Sequence, residues 1–150
     1  MNKSIAIEIK KIDNLILRKL ITFSKEFTDI QLSPVQIVIL KYLNDNKDKI
    51  IHQKDIEDFI QNRKSTISTI LDTMQKNNLI IKINSKSDAR SKEIVLTNDA
   101  IVLCNKIKEH DNYFQNLLSR NIDNEDLNVF YKVLNQIKLN LKGEEKWLNY

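Results

Sequence analysis

The sequence predicts a mainly α-helical fold with one small β-hairpin. Only one glycine and one proline occur among 150 residues, so few residues interrupt helices. Apolar residues recur at steps of three and four through most of the chain, which is the period of helices that bury one face. Around "NSKSDARSK" (84–92), by contrast, two short apolar stretches flank a polar loop, as the strands of a hairpin do. Hydrophobic residues make up 41% of the chain, which is enough for a buried core.

The first 30 residues predict one long amphipathic helix. Its apolar stripe consists of Ile5, Ile9, Ile12, Ile16, Leu20, Phe23 and Phe27. Because isolated helices are marginal in water, this stripe needs another surface to bury it.

A second helix is predicted to begin within "LSPVQIVILKYL" (32–43). Ser33 has the position of an N-cap, Pro34 that of the first helical residue and Gln36 that of the third, which predicts a capping box. Leu32 and Ile37 are placed to form a hydrophobic staple across this cap. The polar "NDNKDK" (44–49) is predicted to end the helix.

A short helix from about Gln53 to Ile60 and a helix from about Lys64 to Asn77 are predicted next, joined by the turn "QNRK" (61–64). The residues predicted to face the core are Ile56, Phe59 and Ile60 in the short helix, and Ile67, Ile70, Leu71 and Met74 in the following one. Asn78 occupies the position where helices commonly end in a left-handed residue, a conformation that asparagine tolerates.

The segments "LIIKI" (79–83) and "EIVL" (93–96) predict the two strands of the hairpin. Thr97 is placed as the N-cap of a long helix, and Asp123 as the N-cap of the last one, with Ile122 and Leu127 as its staple. Gly143 is predicted to end that helix as a left-handed C′ residue. The predicted apolar stripes are Ile101, Cys104, Ile107, Phe114 and Leu117 or Leu118 in the first of these helices, and Leu127, Phe130, Leu134, Ile137 and Leu141 in the second.

The positive charge of the chain is concentrated in one segment. Residues 63–92 carry seven basic and two acidic residues, a net charge of +5, whereas the rest carries 17 basic and 18 acidic residues, a net charge of −1. A local basic excess indicates a polyanionic partner such as DNA, although charge alone is equally compatible with a solvated basic surface.

Two helices joined by a short turn and followed by a hairpin form a winged helix-turn-helix, here at about residues 33–97. In such modules the second helix enters the major groove of DNA, and the hairpin, called the wing, touches the backbone or the minor groove. The helix from Lys64 carries hydroxyl and basic side chains on its polar face, which can bind phosphates or base edges. The alternative is an ordinary solvent face, but serine and threonine are mediocre helix formers, so stability gives no reason for them there.

Several motifs occur in order along this region: "LSPVQIVIL" (32–40), Ser65-Thr66, Leu79-Ile80, Asp88-Ala89-Arg90 and Leu96-Thr97. Together they resemble the signature of the MarR family of bacterial transcription regulators. The sequence departs from the family pattern at Asn78 and Ala100, where glycine is common, at Glu57 and Asn62, which replace an alanine and an apolar residue, and at Lys82, which replaces an arginine.

The resemblance implies a homodimer in which long helices, here about 1–30 and 98–142, pair across a two-fold axis. It also implies that Arg90 enters the minor groove and that Asp88 orients the wing by pairing with a basic side chain. A guanidinium suits a narrow, electronegative groove because it is less strongly hydrated than an ammonium. In the family, small ligands often bind between the dimerisation helices and the winged helix, so a small-molecule effector is left open.

We therefore interpret residues 1–150 as one subunit of a dimeric, sequence-specific regulator, a repressor that binds double-stranded DNA at a pseudo-palindromic operator. The residues predicted to contact DNA are Arg63, Lys64, Ser65, Thr66, Ser68, Thr69, Thr73, Lys82, Lys86, Asp88, Arg90 and Lys92. The alternative is a helical protein–protein interaction subunit that keeps the winged-helix shape without reading DNA. Such an adaptor has no need of the basic excess at 63–92.

Other site classes find little support in the sequence. We expect no catalytic residues, cofactor or metal site, because no nucleophile–base group, glycine-rich phosphate loop or ligand cluster is present. His52 and His110 are far apart, and Cys104 lies on an apolar stripe, where a packing role is expected. With no apolar run long enough for a membrane span and no signal-peptide pattern, a cytoplasmic location is expected.

Overall fold

A computed structural model of the protein describes residues 4–26, 28–84 and 92–143. Over these residues the chain forms six helices and a two-stranded antiparallel sheet, so the predicted mainly α-helical fold with one hairpin is confirmed. The elements are α1 (Ile5–Ser24), α2 (Pro34–Asp45), α3 (Gln53–Ile60), α4 (Lys64–Lys76), β1 (Ile80–Asn84), β2 (Lys92–Leu96), α5 (Asn98–Ser119) and α6 (Asn124–Gly143).

The chain divides into two compact units, Met1–Glu109 and His110–Tyr150, and the boundary falls within α5. The core of the first unit is built from α2, α3, α4, the hairpin and the beginning of α5. Its largest fully buried side chains are Ile39, Leu40, Ile56, Ile67, Leu71, Met74 and Ile80. One side of α4 packs on this core, so the opposite side of the helix faces solvent.

Local hydrogen bonds place the start of α2 as predicted. The N–H of Gln36 donates to Ser33 Oγ at 3.4 Å, and Gln36 Oε1 accepts from the N–H of Ser33 at 2.8 Å, which completes the capping box. Leu32 and Ile37, the predicted staple, are both buried.

Among the residues that the structure describes, three non-glycine residues adopt left-handed backbone conformations: Gln61 (φ 58°), Asn78 (φ 55°) and Asn121 (φ 61°). At Asn78 the prediction is confirmed. The N–H of Leu79 donates to the carbonyl of Met74 at 2.9 Å and that of Asn78 to Gln75 at 3.0 Å, the paired bonds of a Schellman motif. The prediction at Gly143 was wrong, because that residue is the last helical residue of α6 and has no positive φ.

The hairpin pairs β1 with β2 in a register that sets Ile80 opposite Leu96 and Lys82 opposite Ile94. Residues facing each other across an antiparallel ladder share one face, so Lys82 lies on the same face as the buried Ile80, Ile94 and Leu96. The segment before α3 extends the sheet, because the N–H of Ile94 donates to the carbonyl of Ile51 at 2.8 Å.

Two predicted core residues lie elsewhere. Phe59 is 51% exposed and stacks on Tyr42, with ring centroids 4.2 Å apart, because Ile56 and Ile60 already supply the inner side of the short α3. Ile101 is 40% exposed, whereas Ala100, Leu103 and Cys104 face the core, so the buried side of α5 is rotated from the predicted one.

The long helices carry apolar side chains that their own chain leaves exposed. In α1 these include Ile5, Ile9 and Ile12, while Phe27, the last residue of the predicted stripe, lies outside the described residues. In the second unit, Asp123 Oδ1 accepts from the N–H of Asp126 at 2.8 Å and caps α6 as predicted. No residue of α6 is buried, although Leu127, Leu134 and Ile137 are half-buried. None of the helices, over the residues described, is long and apolar enough to cross a membrane.

Candidate nucleic-acid interface

Helix α4 presents a polar face opposite a fully buried one. Ile67, Leu71 and Met74 have no exposed surface, and their spacing of three and four residues turns the other side of the helix outward. On that outer side Arg63, Lys64, Ser65, Thr66, Thr69 and Thr73 are exposed, and Ser68 is half-buried. The structure therefore brings together these predicted contact residues on one helix surface.

The beginning of α4 has no cap from the side chain of its N-cap residue. Arg63 is that residue and its side chain makes no capping hydrogen bond, so it leaves the N–H groups of the first turn uncapped beside two basic side chains, Arg63 and Lys64. Asn62 Oδ1 accepts from the N–H of Arg63 at 2.8 Å, and Gln53 Nε2 donates to the carbonyl of Lys64 at 3.4 Å, which ties this end to α3. The helix dipole and the two cations make this end suited to a phosphate.

The hydroxyls of Thr69 and Thr73 are engaged with their own helix. Thr69 Oγ1 donates to the carbonyl of Ser65 at 3.1 Å, and Thr73 Oγ1 donates to the carbonyl of Thr69 at 3.0 Å. A hydroxyl has a single hydrogen to donate, so while these bonds to the helix are made, each side chain can offer a ligand only its oxygen lone pairs and its methyl group.

An ion pair connects α4 to the wing. Lys82 Nζ lies 2.5 Å from Asp72 Oδ1, and the Lys82 side chain is only 14% exposed, with its stem along the inner face of the hairpin. The hydrogen bond from Lys82, reinforced by the charges of Lys82, Lys76 and Lys92, holds the pKa of Asp72 below its usual range. Lys82 was predicted to contact DNA, and that remains a prediction, but in this structure its ammonium binds Asp72.

In the wing, the structure describes the two strands, β1 and β2. Lys92 is exposed at the start of β2, and its carbonyl lies 3.1 Å from Nδ1 of His52, so the residue before α3 braces the hairpin. Lys86, Asp88 and Arg90 lie outside the described residues, and their predicted roles remain predictions.

Sequence reasoning missed two features of this surface, the Asp72–Lys82 pair and the bond from Gln53 to α4. Asp72 and Lys82 are ten residues apart on a helix and a strand, a spacing that no single helical or strand period brings together. The one available signal was the opposite sign of the two charges on either side of a predicted tight turn.

Two cavities adjoin α4, one beside the middle of the helix and one beside its C-terminal end. The larger, of about 500 Å³, lies between α1, the beginning of α2 and α4, and its lining includes Ile21, Leu32, Pro34, Thr69 and Thr73. The second, of about 370 Å³, lies beside the turn after α4, and its lining includes Ile30, Asn78, Asp99, Leu103 and Lys106. Both are open and partly apolar.

The remaining reactive side chains are placed apart from this surface. Cys104 is 4% exposed, as predicted, and burial, with the charge of Asp45 as a second cause, raises the pKa of its thiol to about 11. Over the described residues, histidine, cysteine and carboxylate side chains form no cluster that could hold a metal ion.

Comparison with known proteins identifies this architecture. Residues 32–92 match the model described as the MarR family, while no curated protein sequence matches the chain. The structure of the transcription regulator MarR from Oenococcus oeni PSU-1 is similar, with 25% identity and a TM-score of 0.79, over 89% of this chain and 98% of that one.

Two further solved structures are similar in fold. MepR from S. aureus, solved as a DNA complex, has 20% identity and a TM-score of 0.84, over 93% of this chain and 99% of that one. The heme sensor protein PefR from Streptococcus agalactiae, solved with heme, has 22% identity and a TM-score of 0.62, over 93% and 95% of the two chains. The resemblance seen in the sequence is thus confirmed: residues 32–92 are a MarR-family domain, in a chain with the fold of that family's winged-helix transcription regulators.

Proposed function

We propose that this protein is a homodimeric transcription regulator that represses its target genes by binding a pseudo-palindromic operator. One observation carries the proposal: α4 rests on a fully buried apolar face and turns an outer face of hydroxyl and basic side chains to solvent, beside a hairpin. The same fold occurs in MepR, which was solved bound to DNA.

In this proposal α4 is the recognition helix. Its N-terminal turn, with Arg63 and Lys64, binds a backbone phosphate, and the outer face of the helix enters the major groove. The residues assigned to the groove are Ser65, Thr66, Ser68, Thr69 and Thr73. The wing contributes Lys86, Arg90 and Lys92 to the neighbouring minor groove and backbone, with Asp88 orienting the tip.

Lys82 has a positioning role in the proposal. Its bond to Asp72 joins the first strand of the wing to the middle of the recognition helix. Because the pair links the two parts that touch adjacent grooves, it sets the angle between them. Its ammonium still adds to the positive potential of the surface.

Dimerisation would cover the exposed apolar stripes of the long helices. The stripe of α1, with Ile5, Ile9 and Ile12 exposed, and that of α6, with Phe130 and Leu141 exposed, present apolar surface of the kind that marks an interface. We assign residues 1–30 and 98–142 to this pairing and about 33–97 to DNA binding, all within one subunit. A two-fold dimer places its recognition helices about 34–36 Å apart, one turn of DNA, which matches a palindromic site.

The cavity of about 500 Å³ is the candidate site for an effector that releases DNA. It combines apolar side chains with hydroxyl and amide groups, so a mostly apolar ligand with hydrogen-bonding groups fits it. Thr69 and Thr73 line it and also belong to the proposed DNA surface, so an occupant would compete with DNA for them. Ile21→Trp, which fills the cavity from α1, should abolish both ligand-induced melting shifts and ligand-induced DNA release.

The decisive experiment is selection of bound sequences from a random DNA pool, followed by fluorescence anisotropy on the selected operator at two salt concentrations. Arg90→Ala should weaken operator binding by roughly 1–3 kcal/mol per half-site and flatten the salt dependence, because a charge near phosphates is removed. Arg90→Lys keeps the charge but loses the planar fork, so it should recover only part of the affinity.

The matched control is Arg120→Ala, which removes the same charge from an exposed position outside the basic segment 63–92. It should leave operator binding unchanged. A folded dimer that enriches no sequence and is not retained on heparin would contradict the proposal and favour the protein–protein interaction subunit. Full operator affinity in Arg90→Ala would remove the wing from the proposal.

A further inference from the structure

The outer face of α4 carries a ladder of hydroxyl residues one helical turn apart. Ser65, Thr69 and Thr73 follow each other at steps of four, and each threonine hydroxyl donates to the carbonyl one turn earlier. To donate to a ligand, Thr69 or Thr73 would have to give up its bond to the helix carbonyl. What they offer outward is a methyl group and oxygen lone pairs.

These outward groups suit base edges and do not suit phosphates. Phosphate oxygens only accept hydrogen bonds, so a threonine hydroxyl could bond to one only by exchanging its existing bond to the helix carbonyl. In the major groove, the partner of a side-chain methyl is the C5-methyl of thymine, and the partner of an oxygen lone pair is an exocyclic amine of adenine or cytosine. A thymine–adenine pair presents both groups side by side.

The other side chains on this part of the helix do not belong to the types that most often bond to base edges. Arginine and lysine read guanine, and asparagine and glutamine read adenine, but none of these residues occurs between Ser65 and Thr73. Asp72, which could accept from cytosine, is paired with Lys82. The centre of the recognition helix therefore lacks long polar readers.

We propose that Thr69 and Thr73 determine specificity by packing their methyl groups against thymine C5-methyl groups in each operator half-site. This inference rests on the proposed function, since it assigns a base class to the same helix surface. It makes the threonine methyl, and not its hydroxyl, the group that discriminates between sequences.

The test replaces single thymines of the selected operator by deoxyuridine, which removes the C5-methyl and leaves base pairing intact. Two variants separate the groups of the side chain: Thr69→Ser keeps the hydroxyl and loses the methyl, whereas Thr69→Val keeps a methyl and loses the hydroxyl. The affinity of the wild-type protein for the operator should fall about fourfold when one particular thymine in each half-site is replaced by deoxyuridine, which is the factor expected for one methyl-sized apolar contact.

Thr69→Val should retain the deoxyuridine effect, because its methyl group keeps the contact with the thymine C5-methyl. Thr69→Ser should bind the thymine operator about fourfold more weakly and be insensitive to deoxyuridine at that same position. The same pattern is expected for Thr73 at a different thymine. The control is Thr22 in α1, an exposed threonine whose hydroxyl also donates one turn back, to the carbonyl of Arg18 at 3.0 Å. Because Thr22 lies in the segment assigned to dimerisation and not in the DNA surface, Thr22→Ser and Thr22→Val should leave the deoxyuridine sensitivity of the operator unchanged.

Two results would overturn the inference while leaving DNA binding intact. One is an operator whose affinity responds to deoxyuridine at no position. The other is a large loss of affinity in Thr69→Val with full affinity in Thr69→Ser, which would make the hydroxyl the reader. Failure of the proposed function looks different, because the wild type would then select no sequence from the pool.

Discussion

The turn between α3 and α4 contains the least favourable of the three left-handed residues. Gln61 has φ 58° and ψ 45°, and its side-chain amide donates to the carbonyl of Asp58. An L-residue in this region costs about 1–2 kcal/mol relative to right-handed geometry, whereas glycine adopts it without a steric penalty. Asparagine tolerates it better than glutamine, because its short side chain can bond locally.

Gln61→Gly should therefore stabilise the protein. Relief of the backbone gains about 1–2 kcal/mol, and the greater freedom of glycine in the unfolded chain returns about 0.5–1 kcal/mol of it. The net gain is about 0.5–1 kcal/mol, which raises the melting temperature of a protein of this size by roughly 1–4 °C. Circular dichroism melting curves measure this directly.

The chain supplies its own controls at the same backbone geometry. Asn78 (φ 55°) and Asn121 (φ 61°) end α4 and α5, and their replacement by glycine should change the melting temperature by less than Gln61→Gly does. Gln61→Ala removes the bond to Asp58 without relieving the backbone, so it should melt at or slightly below the wild type. A Gln61→Gly protein that melts no higher than Gln61→Ala would refute the reasoning, since it would show that backbone strain at this turn is negligible.

The remaining predictions concern Thr97, the Asp72–Lys82 pair and Cys104. Thr97→Ala should lower the free energy of unfolding in urea by about 1–2 kcal/mol, because Thr97 Oγ1 caps α5 by accepting from the N–H of Ala100 at 3.1 Å and also donates to the carbonyl of Asn78 at 2.7 Å. Thr97→Ser should retain most of the stability. Asp72→Asn and Lys82→Met should both weaken operator binding, and the reversed pair Asp72→Lys with Lys82→Asp should restore part of it, as anisotropy would show; full affinity in both single variants would exclude a positioning role. The pKa of Asp72 is lowered on folding, so its carboxylate stabilises the protein at pH values above its ordinary pKa of 3.8. This stabilisation is lost as the pH falls through the lower pKa of the folded state. Asp72→Asn should therefore lessen the decline in melting temperature at acid pH. The thiol of Cys104 has a pKa raised from 9.0 to about 11, so it should resist alkylation by iodoacetamide at pH 8 until the protein unfolds; rapid alkylation of the native protein would contradict its burial. Its contribution to stability should be lost as the pH rises from about 9 through 11, and Cys104→Ser should lack this decline.

Features that depend on neighbouring residues could be predicted from the sequence alone. The capping box at Ser33, the left-handed end of α4 at Asn78 and the cap of α6 at Asp123 were predicted and are present. Each is made by groups within five residues of one another, so the pattern of residue types is sufficient to identify it. The order of helices, turn and hairpin follows from the same local signals, and with it the assignment of the polar face of α4 as the candidate site.

Tertiary packing set which side of each element is buried and which charges meet. Helical periodicity defines an apolar stripe but leaves its rotation open by about one residue, which is why Ile101 was placed inside and Ala100 was not. Phe59 continues the apolar pattern of α3 yet lies outside, because an eight-residue helix has room for few inward side chains and the packed neighbours decide which. The Asp72–Lys82 pair arises only when β1 folds back along α4 with its inner face toward the core. Such contacts join residues on different elements, and their distance is set by packing that no local period encodes.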